Sequence, residues 1–278
     1  MKNKYTKKML LVEILMIIAV FIIFYPIIMI VGMSLKNDTN ILVSPLSFPV
    51  ELNFENYVIA FKTMDYLRAF WNSLLLTSLT VLIGVMLFTL AAYGVARAKK
   101  GKKLFNIIFY IMLMGLMIPP QVTLVPMVVW LKALKMINTI QGLIGVMVGG
   151  GVAFGIFMMK GFIGTIPAAL EEAATIDGCT PFGVFFKIVL PLLKPSIATL
   201  VIINTIGTWN DFMHPLLLLQ GKASRTIPLA VFFFRGEYNT QWNILFAGLV
   251  LSILPVLIFY FILQDQIISG LTSGGVKA

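Results

Sequence analysis

Charged side chains are scarce in this 278-residue chain, and their scarcity excludes an ordinary water-soluble fold. Only 12% of the residues are Asp, Glu, Lys or Arg, whereas 59% are apolar. In soluble domains about a quarter of the residues are charged. A soluble fold of this length has too little interior to bury so much apolar surface, so we expect much of the chain to contact lipid.

Cysteine and histidine are nearly absent, which excludes several kinds of site. The single cysteine, Cys179, leaves no partner for an internal disulfide, and the single histidine, His214, is too little for a multi-ligand Cys/His metal centre. The glycine-rich pattern GxxxxGK[ST], which cradles nucleotide phosphates, is missing from the sequence. We therefore predict no catalytic residue, no metal site and no cofactor in this chain.

Acidic residues are also few, and the formal net charge is +10. Such a charge could attract nucleic acid, but a nucleic-acid binder clusters its basic residues on one soluble face. Here the basic residues lie in short connections between apolar runs, as the positive-inside rule describes for membrane proteins. Nucleic acid is therefore excluded as a partner.

Apolar runs long enough to cross a membrane recur along the chain. A helix needs about 20 apolar residues to cross about 30 Å of hydrocarbon. Runs of that kind lie near residues 9–33, 72–96, 104–130, 140–159, 196–219 and 242–263. We predict an all-α integral membrane protein with one transmembrane helix for each run. Pro119 and Pro120 should bend or break the third run, and the glycine-dense fourth run should pack closely against other helices.

The basic residues also predict the orientation of the chain. The connection between the second and third runs holds the densest cluster, which comprises Arg97, Lys99, Lys100, Lys102 and Lys103. Basic loops stay on the cytoplasmic side. We expect a multi-pass protein of a bacterial-type plasma (inner) membrane with both termini in the cytoplasm.

Two segments on the opposite side are longer than turns. Residues 34–70 contain prolines, carboxylates and scattered aromatic residues, and residues 220–241 contain the triplet Phe232, Phe233 and Phe234. Exposed phenylalanines pack either against the membrane surface or in a docking surface for an external partner. The sequence leaves both interpretations open.

Residues 166–195, between the fourth and fifth runs, begin with a predicted short helix. Pro167 suits its first turn, and the alanine-rich stretch that follows favours helix formation. Gly178 stands where a C′ glycine ends a helix. The small alanines make a thin helix suited to another protein's groove, with Glu171 and Glu172 available for charged partners. An ordinary surface loop is the alternative.

A second short helix is predicted in the same segment. Thr180 fits as its N-cap with Pro181 at position N1, and Pro191 and Pro195 should stop it before the fifth run. The two helices together predict a compact elbow that projects from the membrane and is held by two spans.

The elbow carries a motif: Glu-Ala-Ala, three residues, Gly, nine residues, then Ile-x-Leu-Pro. It is formed by Glu172, Ala173, Ala174, Gly178, Ile188, Leu190 and Pro191. This pattern resembles the EAA loop of binding-protein-dependent ABC importer permeases. Further segments resemble the carbohydrate-uptake branch of that family, namely Asn72-Ser73, Ala91-Ala92-Tyr93, Ile118-Pro119-Pro120, Trp209-Asn210-Asp211-Phe212, Thr226-Ile227-Pro228 and Gly270 to Lys277. Within the branch the chain is similar to the shorter, six-span permease, the counterpart of the second permease subunit of the maltose importer.

The resemblance implies an ABC type I importer permease fold and one permease subunit of an ATP-driven sugar importer, of the oligosaccharide kind. The implied partners are a second permease, two ATPase subunits that bind ATP and Mg in place of this chain, an extracytoplasmic sugar-binding protein and membrane lipid. Residues 1–8 would form a cytoplasmic N-terminus, 9–269 the transmembrane permease domain with the EAA coupling loop at 160–195, and 270–278 a cytoplasmic tail.

The same resemblance implies the site residues. ATPase-coupling residues are expected at Ala169, Glu171, Glu172, Ala173, Ala174, Asp177, Gly178, Ile188, Leu190 and Pro191. A second ATPase contact is expected in the tail, where an extended, glycine-rich backbone would reach between the ATPase subunits, at Gly270, Leu271, Thr272, Gly274 and Gly275. Closure of the ATPase dimer would bring two such elbows together and rock the attached spans.

The fifth run supplies candidate residues for the translocation pathway. Asn204, Thr208 and Asp211 fall on one stripe at helical spacing. A carboxylate inside a span normally faces a wet cavity or a partner, and amides and hydroxyls suit sugar hydroxyls. The alternative is hydrogen bonding between helices that only holds the bundle. His214 lies beyond the stripe and is interpreted as a packing or interface residue.

Three other functions stay open at the level of sequence. A secondary active transporter needs coupling-ion sites inside the membrane, for which Asp211 is a candidate. An intramembrane enzyme needs a nucleophile–base pair or several metal ligands, and one histidine is thin support. An ABC importer permease for a non-sugar solute is the third.

Overall fold

The computed structural model describes residues 7–98, 101–235 and 240–275, and it describes only the backbone of residues 7, 262, 263 and 265–275. Over this part of the chain the regular structure is helical, apart from one β-bridge between Arg235 and Thr240. The α-helices are α1 (Lys7–Ser34), α2 (Asp38–Val43), α3 (Glu55–Thr63), α4 (Tyr66–Arg97), α5 (Lys102–Gly115), α6 (Pro120–Ala133), α7 (Ile140–Gly164), α8 (Ala168–Ile176), α9 (Pro181–Val184), α10 (Leu190–Leu192), α11 (Lys194–Trp209), α12 (Met213–Leu218), α13 (Ile227–Phe232) and α14 (Trp242–Gly275). A π-helical stretch, Phe185–Val189, joins α9 to α10.

Four helices are long and apolar enough to cross a membrane, namely α1, α4, α7 and the Trp242–Phe261 part of α14. Two bent pairs raise the number to six if each pair counts as one span. These are α5 with α6, bent by 105°, and Pro181–Leu192 with α11, bent by 77°. Each predicted run overlaps one of these candidates, and the all-α membrane fold is confirmed.

The predicted break in the third run is confirmed. Helix α5 ends at Gly115, and α6 begins at Pro120 with Pro119 as its N-cap residue. Proline lacks an N–H and disfavours helical backbone in the residue before it. The proline pair therefore begins a new helix instead of continuing the old one.

The second half of the predicted fifth span is wrong. Helix α11 ends at Trp209, and the six-residue α12 begins at Met213. Between them, Asp211 Oδ1 accepts a hydrogen bond from the backbone N–H of His214 at 3.1 Å. An aspartate that bonds nearby backbone in this way competes with helix continuation, so a new helix starts here.

The contacts divide the chain into two compact units, one of Met1–Leu67 with Ala230–Ile258 and the other of Arg68–Leu229 with Phe259–Ala278. In the second unit the core lies along α4 and α7. Phe88 is buried there, and a Cβ built on Gly155 would lie only 2.5 Å from its Cγ. The predicted close packing of the fourth run is therefore confirmed at Gly155.

In the first unit the buried amide of Asn56 organises the chain after α1. Its Nδ2 donates to the carbonyls of Ser34 and Lys36 at 2.9 and 2.8 Å, and its Oδ1 accepts from Asn243 at 2.8 Å. The predicted phenylalanine triplet divides in two. Phe234 packs against Gly248, while the other two phenylalanines stay 38% and 48% exposed.

The C-terminal helix runs further than the sequence predicts. Helix α14 continues through Gly275, so the expected extended backbone of residues 270–275 is wrong. Each added helical residue gains a backbone hydrogen bond, and a glycine costs only about 0.5–1 kcal/mol relative to alanine. Residues 276–278 of the predicted tail lie outside the described residues.

Candidate functional site

The elbow begins with α8, which the local sequence delimits at both ends. Pro167 is the N-cap residue, with extended backbone, and Gly178 has a left-handed φ of +85°. The N–H of Gly178 bonds to the carbonyl of Thr175 at 3.1 Å, and the N–H of Cys179 to that of Ala174 at 3.0 Å. This pair of bonds is a Schellman motif, so the predicted C′ role of Gly178 is confirmed.

The second helix of the elbow starts as predicted. The Thr180 side chain accepts a hydrogen bond from the Gly183 N–H at 3.2 Å, and Pro181 occupies the first turn. A π-helical stretch precedes Pro191, and the helix ends at Leu192, between this proline and Pro195 and before α11. The predicted end of this helix before the fifth span is therefore confirmed. The missing N–H of a proline removes one backbone bond, and the π-helical stretch accommodates that loss. Pro195 lies in the first turn of α11.

The predicted coupling residues face two directions. Ala174 and Glu171 are buried, and Ile188 and Leu190 are half-buried against the same core. The exposed members are Ala169, Glu172, Ala173, Asp177, Gly178 and Pro191. The elbow therefore presents one face to solvent and holds the other against its own spans.

Glu171 is not available to an external partner, which corrects the prediction made for it. Its Oε1 accepts from Arg97 Nε at 2.7 Å, and its Oε2 accepts from the Tyr93 hydroxyl at 2.9 Å. The exposed fractions of the two charged side chains are only 11% for Glu171 and 24% for Arg97. Both carboxylate oxygens are therefore used inside the chain.

Arg97 also holds the end of α7. Its Nη2 donates to the carbonyls of Ile163 at 3.1 Å and Ile166 at 2.7 Å. Ile163 lies in the last turn of α7, and Ile166 lies in the connection between α7 and α8. The guanidinium therefore joins the end of α4 to the end of α7 and to the connection that follows it. From the sequence, Arg97 was placed only in the basic cluster. Its spacing of four residues from Tyr93 puts both side chains on one helix face, and this spacing was the one indication in the sequence that they act together.

The predicted pathway stripe is not formed as one helix face. Asn204 donates from Nδ2 to the carbonyl of Leu200 at 2.8 Å, one turn earlier in α11, and Thr208 is buried. Asp211 lies beyond the end of α11, where its Oδ2 is 2.5 Å from Nδ1 of His214. Asp211 therefore belongs to the turn between α11 and α12.

Near the opposite end of α4 lie residues 218–225, which comprise the last residue of α12 and the connection that follows it. Asn138, with φ of +60°, accepts on Oδ1 from the N–H groups of Gln220 and Gly221 at 3.1 and 3.2 Å. Asn72 donates from Nδ2 to the carbonyls of Ala223 and Arg225, both at 2.9 Å. We call this the 218–225 segment. A cleft of about 470 Å³ opens between it and the starts of α4 and α7.

Metal-ligating residues are not clustered in the described part of the chain. Over residues 7–98, 101–235 and 240–275, no group of three or more His, Cys, Asp or Glu side chains could hold a metal ion. The elbow instead presents one exposed face of α8, while Glu171 on the opposite face is held by Arg97 and Tyr93.

Comparison with known proteins identifies relatives over nearly the whole chain. The chain is 35% identical to the probable starch degradation products transport system permease protein AmyC of Thermoanaerobacterium thermosulfurigenes, over 88% of each chain. It is 34% identical to the multiple sugar-binding transport system permease protein MsmG of Streptococcus mutans, over 95% of each. It is 32% identical to the melibiose/raffinose/stachyose import permease protein MelC of Bacillus subtilis, over 100% of each.

The fold has a counterpart among solved structures. A bacterial ABC transporter involved in the import of the acidic polysaccharide alginate contains a chain that matches with a TM-score of 0.79 at 21% identity, over 95% of this chain and 99% of that one. The fold is thus that of a type I importer permease. Residues 89–273 match the family described as binding-protein-dependent transport system inner membrane component. These residues include the elbow, and the chain belongs to this family of inner-membrane transport permeases.

Proposed function

We propose that this chain is one of two membrane-spanning permease subunits of an ATP-driven importer of oligosaccharides. In this proposal it forms the translocation pathway with a second permease. Helix α8 is the coupling helix that docks on a cytoplasmic ATPase subunit. An extracytoplasmic binding protein delivers the sugar.

The exposed face of α8 is the observation that carries the proposal. Glu172 and Ala173 face solvent on a helix whose other face is braced, and Ile176 is 86% exposed. Phe182, at the start of α9, is 72% exposed. Exposed apolar side chains beside a carboxylate, outside the spans, suit a protein partner better than water or lipid.

The class of solute follows from the relatives. Their names specify starch degradation products, multiple sugars, and melibiose, raffinose and stachyose. All three names thus refer to starch-derived products or sugars. We extend that class to this chain, and raffinose is the first probe that we would use.

In this proposal the ATPase is a separate subunit, which accords with the absence of a P-loop pattern from the sequence. We place the Arg97 end of α4 in the cytoplasm, since the basic cluster lies there. ATP then shifts the permease between inward-open and outward-open states, which requires several kcal/mol of differential binding. We retain the proposal that residues 270–275 contact the ATPase, now as the end of a helix.

The test is reconstitution of the chain with its second permease, ATPase and binding protein. Proteoliposomes should import raffinose only with ATP inside, and tagged chain should co-purify the ATPase. Cys179, the single native cysteine, should react with a membrane-impermeant maleimide in inside-out vesicles and not in intact cells.

Three results would contradict the proposal. Raffinose uptake by the chain alone, driven by an ion gradient, would indicate a secondary transporter. ATP-driven uptake restricted to a non-sugar solute would place the chain in another branch of the family. Labelling of Cys179 from outside intact cells would reverse the orientation.

A further inference from the structure

The contacts around Arg97 join three helices at one point. The guanidinium belongs to the last turn of α4. It donates to a carboxylate of α8, to the carbonyl of Ile163 in the last turn of α7, and to the carbonyl of Ile166 in the connection between α7 and α8. The Tyr93 hydroxyl reaches the same carboxylate at 2.9 Å, and its ring lies 5.1 Å from that of Phe185 in the π-helical stretch. We call Arg97, Tyr93 and Glu171 the elbow clamp.

The elbow clamp differs from a surface ion pair. Exposed pairs contribute about 0–1 kcal/mol because water screens them and long side chains lose entropy. Here the exposed fractions are 11% and 24%, and both oxygens of Glu171 are hydrogen-bonded. Charge-assisted bonds of this kind are short and directional, so the clamp fixes an orientation as well as a distance.

The geometry requires a guanidinium at position 97. Its Nε and Nη2 point to acceptors on two different elements at 2.7–3.1 Å. A lysine ammonium is a single point charge on a flexible stem and does not reproduce this fork. If the bonds of this fork were lost, the short turn that contains Thr165 and Pro167 would still join α7 to α8. Arg97 would then no longer connect either helix to α4.

We propose that Arg97 is a positioning residue for coupling, which makes α8 and α4 move as one body when the ATPase displaces the elbow. The proposal rests on the function proposed above and adds the residue that transmits the movement. It also changes the role of Glu171, which acts inside the permease while its neighbour Glu172 faces the ATPase.

The first experiment measures raffinose imported per ATP hydrolysed, at equal amounts of assembled complex. For Arg97→Gln we expect a loss of about tenfold, the size expected when a hydrogen-bonded charge loses its partner. Arg97→Lys should restore little of this loss, because the fork and not the charge is needed. Tyr93→Phe, which removes one bond, should lose roughly threefold. Lys103→Gln removes an exposed positive charge from the same connection and should match wild type.

The second experiment needs no sugar. The rate at which maleimide modifies Cys179 reports the stability of the C-terminal end of α8, because the Cys179 N–H forms one of the two bonds of its Schellman motif. In membranes containing the chain, Arg97→Gln should raise this rate about tenfold, and Lys103→Gln should not. If Arg97→Gln fails to insert, Tyr93→Phe and Glu171→Gln provide the same two readouts.

The outcomes separate this proposal from the function on which it rests. If the wild-type complex imports no raffinose, the proposed function or its sugar is wrong, and the Cys179 rates still test the clamp. If wild type is active and Arg97→Gln keeps the wild-type ratio of raffinose to ATP, the clamp does not transmit movement. Full rescue by Arg97→Lys would also overturn the proposal, since a point charge would then suffice.

Discussion

The two ends of α4 hold their neighbours by different chemistry. At the Arg97 end, a guanidinium and a carboxylate brace the elbow through bonds of 2.7–3.1 Å. At the Asn72 end, neutral amides hold the 218–225 segment through bonds of 2.9–3.2 Å. The two sites are separated by roughly 38 Å along the helix, at 1.5 Å per residue.

This difference in hydrogen-bond type predicts how easily each end of α4 can separate from its neighbours. Hydrogen bonds between neutral groups contribute about 0.5–1.5 kcal/mol each, and those to charged groups about 1.5–3 kcal/mol. The elbow, on which an ATPase is proposed to act, has the stronger and more directional bonds. The 218–225 segment has weaker bonds that can be exchanged for water at less cost. We expect the elbow to move with α4 and the segment to open independently.

The largest expected effect comes from disturbing α4 itself, which carries both sites. In Gly155→Ala the new Cβ would lie 2.5 Å from Phe88 Cγ, so α4 and α7 must separate. Overpacking of this kind costs about 1–3 kcal/mol. We expect a lower Tm in detergent and faster hydrogen exchange at both ends of α4.

Gly145 provides the matched control on the same helix. In the part of the chain that the structure describes, nothing lies within 4 Å of a Cβ built there. Alanine has a higher helix propensity than glycine, so Gly145→Ala should leave the Tm unchanged or raise it. Equal losses in the two variants would show that the contact with Phe88 is not a constraint.

The next effect is confined to the elbow. Gly178→Val forces a β-branched residue to φ of +85°, a strain of about 1–3 kcal/mol. We expect the variant to insert and to lose most of its ATP-driven transport, while exchange in the 218–225 segment stays unchanged. Gly164→Val, at the end of α7, is the control because its φ is not in the left-handed region. Normal transport by Gly178→Val would refute the importance of this cap.

A change at the opposite end should loosen the 218–225 segment alone. Asn138→Ala removes the acceptor for Gln220 and Gly221 and leaves alanine at φ of +60°. Loss of these bonds should accelerate hydrogen exchange at those two amides by roughly 30-fold, or about 2 kcal/mol. Cys179 labelling should stay at the wild-type rate. Asn210→Ala, at an exposed asparagine of similar polarity, should change neither, and a coupled change in both readouts would contradict independent movement.

The smallest expected effect concerns Asn72, the second side chain that holds the 218–225 segment. Asn72 donates to two carbonyls. Asn72→Ala should cost about 1 kcal/mol. Asn72→Asp has nearly the same shape but no N–H to donate, so it should lower the Tm more than alanine does. If Asn72→Asp is as stable as wild type, the side chain does not act as a donor to these carbonyls.

The sequence alone determined the features that depend on a few neighbouring residues. Apolar runs of sufficient length indicated the spans, the Pro119-Pro120 pair predicted the break in the third run, and Gly178 with Thr180 predicted the caps of the elbow. These signals are reliable because backbone dihedrals, the missing proline N–H and the transfer of apolar residues into lipid act locally.

Tertiary structure alone decided which polar groups meet. Arg97 and Glu171 are 74 residues apart in the sequence, and no local rule distinguishes Glu171, which faces inward, from its exposed neighbour Glu172. The separation of Asp211 from the stripe of Asn204 and Thr208 depends likewise on where α11 ends. Side-chain hydrogen bonds form within about 3 Å, so their partners are known only once packing has brought distant helices together.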